Sequence, residues 1–138
     1  PTPVPSPTPS LPDEPGVRLE ISSVMVSPGD VFWVNGYLDN PGPSKLTSIP
    51  VVFLLEVYGY YYFWPSWSLY HPSTAEGIDY ETRDIDRGST PVQVIPPFTW
   101  PDTGAQTAED LGFYGALLSQ DFSSIIGDYS FIEWGYGP

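Results

Sequence analysis

Proline occupies 18 of 138 positions, and its distribution constrains the fold more than any other feature. Inside a helix, proline removes a hydrogen bond and clashes with the preceding turn, so little room remains for long helices. The residues between the prolines favour strands: 16% of the chain is aromatic, with 10 Tyr, 7 Phe and 5 Trp, and 41% is hydrophobic. That combination describes short strands joined by rigid turns. The length suffices for one domain with a real core and not for two.

The chain divides near residue 15. In residues 1–15 proline alternates with Thr, Ser or Val, a pattern that favours an extended polyproline II arm or linker. Thr2, Ser6, Thr8 and Ser10 would accept O-glycans in an exported protein. Pro3, Val4, Pro5 and Pro7 form an extended stretch that could dock on a neighbouring copy as an assembly arm. A bare inter-domain linker is the plainer reading of the same residues.

From Val17 the period becomes two, the mark of half-buried strands. Val17, Leu19 and Ile21 alternate with Arg18, Glu20 and Ser22, and a turn follows at Ser27-Pro28-Gly29-Asp30. Phe32, Val34, Gly36 and Leu38 define one face of the next strand, which Asn40-Pro41-Gly42-Pro43 closes. Ile49 to Tyr58 is nearly all apolar, as expected of a strand covered on both faces. Gly59 marks a hairpin or bulge, and Tyr60 to Trp64 returns from it. Further strands are expected at 78–85, at 92–95 before Pro96-Pro97 stops the run, at 113–118 and at 129–136. Phe98 to Gly104 reads as a surface connection. Asp121 to Gly127 could form one helical turn, with Ser119 or Asp121 as its cap. The expectation is an antiparallel β-sandwich of about seven to nine strands over residues 16–138.

The stretch from Val26 to Tyr58 carries a Pro28-Gly29-Asp30 turn, a strand ending in Asp39-Asn40-Pro41-Gly42, and then a long apolar strand. In this it resembles the adhesion-type immunoglobulin-like sandwiches of bacterial and archaeal surface proteins, including the CARDB-like group. The resemblance implies an exported accessory or scaffold module, extracellular or at the cell surface, and names no ligand.

The charge narrows the partners. A net charge of -13, from 17 acids against four bases, repels nucleic acid and anionic membranes. Solubility is the plain explanation, with calcium or a basic partner as alternatives. There is no cysteine, and no segment reaches the length of a membrane span. With Pro at position 1 and no leader pattern, the sequence is expected to be a mature product or a fragment.

Chemistry is sparse. The single histidine, His71, stands in a loop, and neither a nucleophile elbow nor a metal-binding His or Cys motif occurs. Glu56, Glu81 and Glu133 could supply paired carboxylates, but a small sandwich seldom builds the cleft a glycosidase needs. Glu56 lies in an apolar run and needs a partner, for which Arg18, Arg83 and Arg87 are candidates. Asp79, Glu81, Asp84 and Asp86 are the best calcium ligands available, though interleaved arginines favour ion pairs instead. No catalytic residue and no cofactor is expected.

The aromatics carry the functional expectation. Tyr60, Tyr61, Tyr62, Trp64, Trp67 and Tyr70 are too many for one small core, so some should form an interface or ligand platform. Phe32, Trp33, Phe53, Phe113 and Trp134 are assigned to packing. The expected function is a non-catalytic structural or interaction module that self-associates, as the subunit of a surface fibre or as part of a surface scaffold. The alternative is a carbohydrate-binding module in which the same Tyr and Trp rings stack on sugar faces.

Overall fold

A computed structural model describes residues 12–74, 76–102, 104 and 106–137. The assembly segment (Pro3, Val4, Pro5, Pro7) and the glycan acceptors (Thr2, Ser6, Thr8, Ser10) lie outside the described residues. Within them the chain is all β, with ten strands and no helix. They are β1 (Gly16–Ile21), β2 (Met25–Val26), β3 (Val31–Asn40), β4 (Leu46–Val57), β5 (Tyr60–Phe63), β6 (Ser68–Leu69), β7 (Glu81–Ile85), β8 (Gly88–Thr99), β9 (Ala108–Leu118) and β10 (Ile125–Tyr136).

Hydrogen bonds link them into one curled sheet in the order β6-β5-β4-β9-β10-β1-β3-β8, with β7 beside β4 and β2 beside β10. Most pairs are antiparallel. The exceptions are at β10, which runs parallel to β1 at Asp128↔Gly16 and to β2 at Gly135↔Met25 and Tyr136↔Val26. The curl brings the alternating face of β3 onto that of β4, β9 and β10. Phe32 stacks on Trp134 (5.1 Å between centroids), which stacks on Phe113 (5.3 Å). Phe53 fits against Gly36, where any Cβ would reach its ring. Phe32, Val34, Gly36 and Leu38 are all buried, as their period-two spacing requires, whereas Trp33 is only half-buried on the other face.

Local chemistry sets the turns. Tyr58 and Gly59 both have positive φ (48° and 86°), which a two-residue type I′ hairpin between β4 and β5 demands. Asn40 is buried, and its amide donates to the Ser44 (2.9 Å) and Ile85 (3.0 Å) carbonyls while its oxygen accepts from the Gly42 N–H (3.1 Å). The Asn-Pro-Gly-Pro turn is thus pinned from inside.

Two local expectations change. Residues 121–127 are not helical. Asp121 accepts from the Ser119 hydroxyl and from the Ser123 amide and hydroxyl, closing a tight turn, and β10 begins at Ile125. Gly127, expected as a helix stop, lies inside β10 with φ +64°, where a Cβ would overlap the Pro15 carbonyl. Pro96-Pro97 does not end its strand either, because β8 continues to Thr99 and pairs Phe98 with Phe32. β8 stands at the end of the sheet order, so prolines there need not donate to a second neighbour. Register shifts on either side of Val34 accommodate them.

Candidate functional site: an uncharged aromatic groove

Strands β4, β9 and β10 are apolar on both faces, which one core cannot absorb. The register assigns the faces: Val51, Phe53 and Leu55 pair with Leu117, Gly115 and Phe113 towards the core, and Val52, Leu54 and Glu56 pair with Ala116, Tyr114 and Gly112 on the outside. On the same outer face β5 contributes Tyr61 opposite Glu56 and Phe63 opposite Leu54. β10 adds Phe131 opposite Tyr114, and Ile125 and Tyr129 nearer its start.

Side-chain size shapes this face into a groove of about 550 Å³. Its floor is the short Ala116 on the central strand β9. One wall is Tyr61 and Phe63, and the other is Ile125 and Tyr129. No lining residue is charged. Ile125, Tyr129 and Phe131 remain 48%, 60% and 46% exposed. Phe131 stacks on Tyr114 at 4.6 Å between centroids, lying over Gly112, where a Cβ would come within 2.7 Å of its ring.

The Tyr114 hydroxyl donates to Glu56 Oε2 at 3.0 Å, so Glu56 is partnered by a phenol and not by Arg18, Arg83 or Arg87. Burial, and then this bond to Glu56, push the Tyr114 hydroxyl above its ordinary pKa. Arg18 instead forks onto Asp39 (2.6 and 3.0 Å), a carboxylate that is only 1% exposed and that also accepts from Ser89. The bond to Asp39 raises the Arg18 pKa.

The six expected platform residues separate. Tyr61 lines the groove, and Tyr70 packs edge-on against Phe63 beside it (5.8 Å). Tyr60 is exposed at the hairpin tip, paired with Val57, and Tyr62 pairs with Leu55 on the opposite face. Trp64 is 6% exposed and meets Phe53 edge-on at 5.2 Å, so it belongs to the core. Trp67, held at φ 56° in the turn after β5, packs against Phe113. The turn at 64–67 buries the Trp64 ring, while Trp67 packs against the core and stays partly exposed. Tyr114, Ile125, Tyr129 and Phe131 were not expected at the site. Their signal lay in alternate positions that are apolar in both phases, as in Phe113-Tyr114 and Tyr129-Phe131 against Ile132-Trp134.

The acids expected as calcium ligands go to separate partners. Asp79 accepts from the Ser66 and Tyr80 amides (3.1 and 2.9 Å), and hydrogen bonding from Ser66 holds its pKa low. Glu81 pairs with Arg83 (2.8 Å), Asp84 accepts from the Ser48 amide (2.8 Å), and Asp86 stands 3.9 Å from Lys45. Glu133 and Asp110 are in contact, and hydrogen bonding to Asp110 raises the pKa of Glu133. His71 is exposed, bridging to Glu76 through its backbone. No family model matches this chain, and no curated protein matches it.

Proposed function

We propose that the protein is a non-catalytic structural or interaction module, extracellular or at the cell surface, that self-associates through the groove-bearing face of β4, β5, β9 and β10. The observation that carries this reading is the uncharged aromatic groove on a chain whose net charge is -13. Two such chains repel at long range, so contact is favoured where the surface carries least charge; Glu56, on the same face, is hydrogen-bonded by Tyr114. Exposed Tyr, Phe and Ile around the groove give contact area at low entropy cost.

In this reading the curled sheet is an immunoglobulin-like sandwich of the CARDB-like kind. Its layers are β1, β3 and β8 against β10, β9, β4 and β5. The stacking of Phe32 on Trp134 and the seat of Phe53 at Gly36 support it. The alternative, a carbohydrate-binding module, draws on the same exposed rings, Tyr129 above all. It loses force because Trp64 is buried and Trp67 is partly covered by its packing on the core.

Negative-stain imaging and light scattering on one sample, with a glycan array on the same preparation, test the proposal. Oligomers or filaments without glycan binding are the expected result. A monomer that binds glycans through Tyr129 would refute it in favour of the alternative.

A further inference from the structure

We propose that the groove binds the proline-rich segment 1–12 of a second copy of this chain, held in the polyproline II form. The inference rests on the reading that the outer face is an association surface, and it names the occupant.

Three observations select that segment. The first is chemical. Aromatic-lined grooves recognise polyproline II because its rings stack on aromatic faces and its conformation is ordered at little entropic cost. Here Tyr61, Phe63 and Tyr129 supply the rings, and the tyrosine hydroxyls are donors suited to carbonyls that have no internal partner. The second is charge. Residues 1–12 contain no charged side chain, and the first acid is Asp13, so this stretch can enter an uncharged groove without carrying the chain's acidity with it. The third is size. Tyr114 to Leu118 along the groove floor spans about 14 Å at strand rise, which is roughly four to five residues of polyproline II. A stretch such as Pro3 to Pro7 fills it.

The exit direction favours a second copy over the chain's own groove. The Pro15 carbonyl accepts from the Asp128 N–H at 2.9 Å, and β1 runs parallel to β10. Beyond Pro15 the chain bends at Asp13 and Glu14, and Asp13 and Pro15 lie against the 40–46 turn. Folding back on the chain's own groove would require a tight turn, which a proline-rich sequence resists. Entry into a neighbour's groove needs no reversal.

Fluorescence anisotropy tests this with a labelled synthetic peptide of residues 1–12, titrated with the full chain. Saturable binding is expected. It should weaken about tenfold or more, equivalent to about 1.4 kcal/mol, with Ile125→Ser, with Tyr129→Ser, and with a peptide whose Pro3, Pro5 and Pro7 are alanine. Both protein variants change exposed side chains, and unchanged near-ultraviolet circular dichroism would establish that they fold. No saturable binding, or equal binding to the groove variants, overturns the inference. If those variants abolish self-association while the peptide fails to bind, the occupant is wrong but the association surface stands. If the chain neither associates nor binds the peptide, both fall.

Discussion

Gly36→Ala tests how closely the two halves of the curled sheet meet. A Cβ on Gly36 would lie 2.5 Å from Phe53 Cζ and 2.6 Å from Cε1, about 1 Å inside the usual carbon–carbon contact. The ring cannot simply retreat. Behind it stands Gly115, where a Cβ would be 3.0 Å from the same ring, and Trp64 closes the side at 5.2 Å. Overpacking of this kind costs roughly 1–3 kcal/mol, and the lost backbone freedom of glycine returns about 0.5–1 kcal/mol. The net is a destabilisation of about 1–2 kcal/mol. At roughly 3–5 °C per kcal/mol for a domain of this size, Tm should fall by about 4–8 °C. Phe53→Leu alone leaves a cavity and should also destabilise, but the double variant should recover about 1 kcal/mol or more relative to additivity. Thermal and urea melts of the four proteins read both quantities. A Gly36→Ala melt that matches wild type, or strict additivity, would refute the packing described.

Other sites give further expectations. Asn40→Ala removes three hydrogen bonds from a buried turn and should cost roughly 2–3 kcal/mol in urea melts; a cost under about 0.5 kcal/mol would contradict that role. Arg18→Met strands the buried Asp39 with only Ser89 as side-chain partner and should cost about 2 kcal/mol, discounted because Arg18 is itself half exposed. Glu133 has a raised pKa, so its favourable contribution is full in acid and is lost as pH rises through its folded pKa. Glu133→Gln should therefore melt above wild type near neutral pH and coincide with it at about pH 3. Self-association should strengthen with added salt, which screens repulsion between chains of net charge -13; weakening would point to ion pairs at the interface.

Much of the strand pattern was legible because period-two alternation and turn chemistry are local. The buried face of β3 follows from residue order alone, and Gly59 marks a hairpin or bulge, of which the structure has the hairpin, with Tyr58 in the turn and not in the strand. The missed features depend on neighbours. Pro96-Pro97 reads as a stop until β8 is seen to pair on one side only. Asp121 reads as a helix cap, and it does cap, but the serines around it close a turn first. At the candidate site, the density of rings after Gly59 singles out β5, and the structure places Tyr61 of that strand in the groove. Which rings face outward depends on the turn at 64–67, which buries Trp64 and packs Trp67 against the core, and on the strands that align β9 and β10 beside β4. Tyr114 and Tyr129 are 53 and 68 residues beyond Tyr61 in sequence, and only sheet pairing brings them together.

Sedimentation velocity over a concentration series, on wild type and on an Ile125→Ser/Tyr129→Ser variant, tests the central claim most directly. The account predicts a wild-type distribution that shifts to larger species with concentration, and a variant that stays at the mass of one 15.3 kDa chain. A wild type that remains monomeric throughout, or a variant that associates as wild type does, would contradict it.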